Sequence, residues 1–246
     1  MPRSRHIIQI ALVVLAVTTA ACAAKGPTPP PVPVFHPGPT PAMSVGPEHK
    51  YAFALIAKFA SDPLVLHSVQ TTKATAELDA ESAKLNTTVT VDLSDRDHHL
   101  HMVSKTPAGK TVKSDLVVVG KAVYTRLGSG RWTKGSRADY ERSHTDINRA
   151  YQVVRNPTDL RYVGRETIDK RKLHHLTAVR DLPFMTVTGM PGTYTRLDIW
   201  VEEDGTPVLL KGTITTVVDY GIEITGKTEM RFSKFGGSIK IVAPKN

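Results

Sequence analysis

The stretch DHHLHM, residues 97–102, sets two imidazoles, His99 and His101, two positions apart. On a strand such a pair points to one face, and two imidazoles on one face can serve zinc. A second pair, His174 and His175, would have to supply a third ligand from across a sheet. Neutral histidine is also an ordinary residue on the wet face of a strand, and a catalytic zinc needs an open position with a base nearby. Solvated strand histidines are the better reading, so no metal and no other cofactor is expected. Hydrolytic chemistry finds less support. There is no G-x-S-x-G elbow, and GSGRW, from Gly128, reads as a hairpin turn before Trp132. Glu202 and Glu203 are adjacent, hence on opposite faces, at what reads as the solvated end of a hairpin. No phosphate-binding glycine loop is present. No catalytic residue can be named, and the chain reads as a non-enzyme.

The one cysteine, Cys22, stands where an apolar run gives way to prolines. Arg3 and Arg5 precede the apolar stretch Ile7–Val17, interrupted only by Gln9, and the small residues Thr18–Ala21 follow. Basic, apolar and small segments in that order make a signal peptide, residues 1–21. A membrane span would need about 20 predominantly apolar residues. An unpaired cysteine in an exported chain needs an explanation. Placed after Ala20 and Ala21, Cys22 resembles the acceptor of a bacterial lipobox, which is alkylated by diacylglycerol and becomes the mature N-terminus. Thr19 departs from that pattern, where an aliphatic residue is usual. The alternative is cleavage after Ala23 or Ala24, which discards the cysteine. Two acyl chains suffice for stable anchoring, whereas one is marginal. The expected location is therefore the outer face of the cell membrane.

Eight of the fifteen residues from Pro27 to Pro41 are proline. Such a segment favours polyproline II and, at ~3.1 Å per residue, lets residues 22–46 act as a stalk reaching about 70 Å. Residues 47–246 remain, enough for one domain with a substantial core. Loss of Arg3 and Arg5 lowers the net charge from +9 to +7. That excess favours an anionic surface such as phospholipid headgroups. No nucleic-acid motif is recognisable, and export argues against nucleic acid as a partner.

Two segments carry helical spacing. Ala52, Leu55, Ile56 and Phe59 predict a helix over Glu48–Ser61, stopped by Asp62-Pro63. Tyr140, His144, Ile147, Tyr151 and Val154 predict another over Ser136–Arg155, with Ser136 as N-cap and Asn156-Pro157 as stop. Nearly everything else alternates with period two, from VQTTKATAEL at Val69 to a closing SIKIVA at Ser238. Many strands joined by short turns imply antiparallel meanders. The expectation is an α+β domain: a single large, strongly curved antiparallel sheet, a half-barrel, wrapped around a few helices. Asp181–Tyr194, DLPFMTVTGMPGTY, carries Phe184, Met185, Val187 and Met190 among prolines and glycines. It reads as an irregular, adaptable loop and a candidate lid, since methionine suits irregular apolar partners.

The order of these elements resembles the actinobacterial lipoproteins of the LppX/LprG type, which share the LolA-like fold. The resemblance rests on GRETI at Gly164, answered by HHLTAVR at His174, on the hairpin W-V-x-x-D-G-x-P at Trp200, and on FSKFG…IxxP at Phe232. It covers the chain from His49 onward, together with the leader. The resemblance implies a lipid-binding domain that takes lipid or glycolipid acyl chains between sheet and helices and carries them across the cell envelope. An envelope transporter is the implied partner. Candidate cavity residues are Val89, Val91, Leu100, Met102, Leu116, Val118, Leu197 and Ile199 on strands, with Phe184, Met185 and Met190 on the lid. The alternative is an envelope sensor or scaffold of the same fold that binds protein partners.

Overall fold

Valine, isoleucine and threonine alternate with polar residues over most of the chain, which suits a pleated surface with one wet face. The computed structural model describes residues 49–78, 81–106, 109–143, 147, 151–185, 191–218 and 222–245. The leader, Cys22 and the stalk lie outside the described residues, and so do Met190 and the Met185 side chain. Helix α1 (Lys50–Phe59) comes first. The long strands β1 (Val65–Leu78) and β2 (Glu81–Ser94) follow, then β3 (Asp97–Lys105), β4 (Thr111–Val119), β5 (Ala122–Leu127) and β6 (Thr133–Ser136). Helix α2 (Arg137–Ser143) and a 3-10 turn (Pro157–Asp159) precede β7 (Leu160–Ile168), β8 (Arg171–Ala178) and β9 (Leu182–Met185). The chain closes with β10 (Pro191–Val201), β11 (Pro207–Val218) and β12 (Ile222–Ser233).

All twelve strands join one antiparallel sheet in the order β6-β5-β4-β3-β2-β1-β12-β11-β10-β8-β7, with β9 beside β10. Both ends of this path are edge strands, so the sheet is open. At Gly226, opposite Ala74 across β12 and β1, an added Cβ would stand 2.5 Å from the Ala74 Cβ. Only glycine allows the two strands to approach so closely, a usual reason for a glycine inside a strand. Register shifts at Tyr194–Arg196 on β10 and Tyr162–Gly164 on β7 add local twist.

Helix α1 packs against β7, β8 and the 3-10 turn. It buries Tyr51, Ala52 and Leu55, with Ile56 and Phe59 packed against the core beside them. The rest of the core comes from one face of the sheet: Leu66, Leu93, Leu100, Leu176, Leu197, Ile199, Leu210 and Phe232 among others, with Ile147, Tyr151 and Val154. This helix-covered face is called the inner face below.

The structure departs from the sequence reading in four places. The closing SIKIVA forms no strand. Both sides of β12 are already paired, with β1 and β11, which leaves no ladder position beside it. The Asp181–Tyr194 segment is not an irregular loop over its described residues, since β9 pairs with β10 from Met185–Pro191 to Leu182–Tyr194. The ring of Phe184 lies against Gly192, where a Cβ would stand 2.5 Å away, so this glycine is a packing site rather than a hinge. Ser136 ends a strand and Arg137 opens a helix that runs to Ser143, and beyond it Ile147 and Tyr151 are also helical. Residues 152–156 are not helical, and Asn156 instead caps the 3-10 turn by accepting from the Thr158 amide at 3.0 Å. Finally, Thr133–Ser136 extends the sheet by an edge strand that the turn signals had hidden.

Candidate functional site

Strand register sets the inner face out in rows. Leu66, Leu93 and His98 form one, and Ser68, Val91, Leu100 and Leu116 the next. Gln70, Val89, Met102 and Ser114 follow, and then Thr72, Thr87 and Ser104. The first two of these rows are mostly apolar and packed. Val91, Leu100, Leu197 and Ile199, all expected to line a cavity, belong to this core. Val118 is buried opposite Val123 of β5, outside that cluster. Val89, Leu116 and Phe184 are half-buried against the edge of the core, and Met102, paired with Val89, is half-buried too. Val89, Met102 and Leu116 therefore form one partly open apolar patch across β2, β3 and β4. On β5 it runs on toward Leu127, which is 51% exposed.

A polar belt crosses the inner face beyond this core. The Ser68 and Tyr151 hydroxyls lie 2.8 Å apart, both buried. Burial pushes the Tyr151 phenol well above its ordinary range, although the Ser68 hydrogen bond works the other way. Gln70 donates from Nε2 to the Thr228 hydroxyl at 3.0 Å, and Thr72 and Thr228 share a hydrogen bond at 3.1 Å. Thr87 and Ser104 are 2.6 Å apart. Past the belt the lining becomes small: Ala74, Ala76 and Ala83.

At the opposite pole, α1 is clamped by the β10–β11 hairpin. Glu203 Oε1 accepts from Lys50 Nζ at 3.0 Å and from the Tyr51 hydroxyl at 3.1 Å. Its Oε2 takes Arg165 at 2.9 Å and lies 2.8 Å from His174 Nε2. The hydrogen bonds from Lys50, His174 and Tyr51 pull the Glu203 carboxyl down to about 2. Lys58 pairs with Asp204 at 2.7 Å. The adjacent carboxylates do face apart, since Glu202 pairs with Arg171 instead. Glu203 is nevertheless a hub joining helix and sheet rather than a merely solvated charge.

The two histidine pairs do not meet. Strands β3 and β8 are separated in the sheet by β2, β1, β12, β11 and β10. His101 Nδ1 lies 2.7 Å from Asp115 Oδ1, and His99 Nε2 lies 3.5 Å from the same oxygen. Arg126 grips the other Asp115 oxygen from Nε and Nη2 at 3.1 and 2.9 Å and stacks over Trp132. Burial raises the Asp115 carboxyl, but the hydrogen bonds from His101 and Arg126 outweigh it and leave it below its ordinary value. His174 stacks on Tyr51 on the inner face, with centroids 3.7 Å apart. His175, on the outer face, stacks on Trp200 between Glu166 and Asp198 at 2.8 and 3.0 Å. Among the described residues no group of three or more histidine, cysteine, aspartate or glutamate side chains is placed to hold a metal ion.

No family model and no curated protein matches the chain. Several solved structures align with it at low identity. A domain described as an outer membrane lipoprotein-sorting protein, from Vibrio parahaemolyticus, is 10% identical with a TM-score of 0.26, over 78% of this chain and 94% of its own. A DUF1329 family protein from Desulfovibrio piger is 13% identical with a TM-score of 0.24, over 75% of this chain and 90% of its own. The ywiB protein of Bacillus subtilis is 11% identical with a TM-score of 0.24, over 71% of this chain and 99% of its own. Likeness at this level does not bear on what the inner face binds.

The belt escaped the sequence reading for a physical reason. In VQTTKATAEL every position from Gln70 to Thr75 except Lys73 and Ala74 is an uncharged polar residue. Alternation alone therefore cannot say which of them turn inward. Glu203 was hidden differently, because its partners Lys50, Tyr51, Arg165 and His174 come from three separate segments.

Proposed function

We propose that this chain is an exported lipoprotein, held to the membrane through a diacylated Cys22, whose LolA-like sheet takes lipid or glycolipid acyl chains on its inner face and carries them across the envelope. It works by burial rather than chemistry and has no catalytic residue. The observation that carries this reading is the apolar patch of Val89, Met102 and Leu116, left half-buried beside a completed core. Burying a 16-carbon chain is worth about 12 kcal/mol at ~0.8 kcal/mol per methylene, similar to its value in a bilayer. A site that encloses the chain to that extent exchanges lipid with a membrane without a further energy source, and the patch supplies its first contacts. The test is native mass spectrometry of the purified protein before and after mixing with lipid vesicles. Val89→Trp and Leu116→Trp should fill the patch and remove the lipid adduct while the melting temperature holds. An adduct that persists in both variants, or a wild-type protein that never acquires lipid, overturns the reading.

The packed state of Val91, Leu100, Leu197 and Ile199 favours a second reading. With those residues committed to the core, the remaining patch would also suit an apolar segment of a protein partner, as in an envelope sensor or scaffold. A wild-type protein that stays lipid-free and instead captures an envelope protein, losing it on Leu116→Trp, selects this alternative.

A further inference from the structure

Charges on the outer face are mostly neutralised by neighbours. Asp92 meets His67, Asp115 meets His101 and Arg126, and Glu229 lies between Lys211 and Arg231. One area breaks this rule. Register sets Lys227 of β12 directly opposite Lys73 of β1, then Asn86 of β2, then Lys105 of β3. At about 4.8 Å per strand the row spans roughly 14 Å. Lys84 stands two residues along from Asn86 on the same face, and Lys113 of β4 is the corresponding neighbour of Lys105. All five are exposed, and none makes a side-chain hydrogen bond or ion pair with a described residue.

Like charges directly opposite in a sheet are destabilising. Exposed lysines are often explained as protection for a sheet edge, but β12, β1, β2 and β3 are interior strands of the order given above. The row needs another reason. Between Lys73, Lys84 and Lys105 lies an open depression of about 400 Å³, with Thr75, Asn86 and Thr106 also on its walls. Its walls therefore offer three ammonium groups together with hydroxyl and amide donors. No arginine or aromatic side chain lines it, as a nucleic-acid surface would use for bidentate contacts and stacking. Compact, strongly hydrated lysine charges fit a laterally mobile layer of phosphates, for which no fixed fork geometry is needed.

We propose that this lysine face of β12, β1, β2 and β3 docks the domain on an anionic phospholipid bilayer, with the depression seating one headgroup. The docking is face-on. Exposed Glu223 lies toward the start of β12, so approach by that end of the strand would bring like charge to the membrane. The proposal deepens the carrier reading by naming the surface it works on, but it rests on separate residues and can stand or fall alone.

The experiment is co-sedimentation of the full chain with phosphatidylglycerol-containing vesicles and with pure phosphatidylcholine vesicles, at low and high salt. Taking the difference between the two vesicle types removes apolar binding by the leader, and the charge of Arg3 and Arg5 is the same in wild type and variants and so cancels in their comparison. Wild-type protein should prefer the anionic vesicles by at least about tenfold at low salt, and the preference should fade as salt screens it. The variant K73Q/K84Q/K105Q/K227Q should lose most of that preference, since each lysine near such a surface is worth about fivefold. K227Q alone guards against a folding defect: it relieves the Lys73 repulsion, so it should be at least as stable as wild type while binding several-fold less. An unchanged anionic preference in both variants overturns the proposal. So does tighter, lysine-dependent binding of a DNA oligonucleotide than of vesicles. Charge-dependent docking without any lipid adduct would instead remove the carrier reading and leave the docking face in place.

Discussion

The clamp on α1 can be tested at a single atom. Gly205 sits in the β10–β11 hairpin at φ +83, its amide donating to the Glu202 carbonyl at 3.0 Å. A Cβ there would stand 2.4 Å from the Ala54 Cβ, 2.6 Å from the Ala54 carbonyl carbon and 2.8 Å from the Leu55 amide nitrogen. Two of these three atoms are helix backbone and cannot swing aside, so Gly205→Ala must displace α1 from the hairpin. The left-handed backbone alone costs a non-glycine residue about 1–2 kcal/mol. Overpacking against a fixed wall adds about 1–3 kcal/mol. Gly128 supplies the control, at φ +60 with nothing within 4 Å of its Cβ position. Gly128→Ala should show the backbone cost only. For a domain of this size about 1 kcal/mol moves the melting temperature by ~2–4 °C. Gly205→Ala should therefore melt roughly 5–15 °C below wild type and Gly128→Ala no more than about 8 °C below. Urea titrations of the three proteins give the free energies directly. Equal losses at the two glycines would refute the idea that the hairpin is wedged against the helix.

Two further outcomes follow from the residues around that clamp and from the leader. The Glu203 carboxyl, at about 2 in the folded chain against 4.5 ordinarily, contributes stability that is fully present above pH 4.5 and is lost as the pH falls towards 2. Glu203→Gln should lower the urea midpoint at neutral pH, and its curve should meet the wild-type curve near pH 2; parallel curves would show that the hub contributes nothing. Cys22→Ala should move the protein expressed in a lipoprotein-processing bacterium from the detergent phase to the aqueous phase, and identical partitioning would refute the anchor.

How much of this was legible in the sequence depended on whether a residue's role is local. The antiparallel sheet was, because alternation and short turns are local signals. The helical stripe of α1 was legible for the same reason, through Ala52, Leu55, Ile56 and Phe59. What failed depended on partners distant in sequence. SIKIVA alternates as a strand should, yet the chain has no free ladder beside β12 for it to join. Pro183, Pro191 and Gly192 argued for a loop, but Pro191 begins β10 and Gly192 receives the Phe184 ring. Among the candidate lining residues, hydrophobicity could not separate Val91, packed in the core, from Val89, half-buried at its margin two residues away. Only packing partners distant in sequence make that distinction.

The polar belt bears on which occupant the inner face suits. Thr87 and Ser104 hydrogen-bond each other, as do Thr72 and Thr228, with Gln70 donating to Thr228. A polar group already satisfied by its neighbour loses little when an apolar surface covers it, whereas an unmet one costs about 1–3 kcal/mol. The belt is thus a passable floor for an acyl chain lying across β12, β1, β2 and β3 from the Val89–Met102–Leu116 patch. A peptide partner on the same floor would bring backbone amides and carbonyls of its own. The belt's cross-strand bonds would have to be broken to meet them. The side of the sheet that offers charged donors with no side-chain partner among the described residues is the outer one, at Lys73, Lys84, Lys105 and Lys227. In the carrier reading the self-satisfied inner face takes acyl chains, and in the docking proposal the cationic outer face meets the headgroups of a bilayer, so the two can be tested separately.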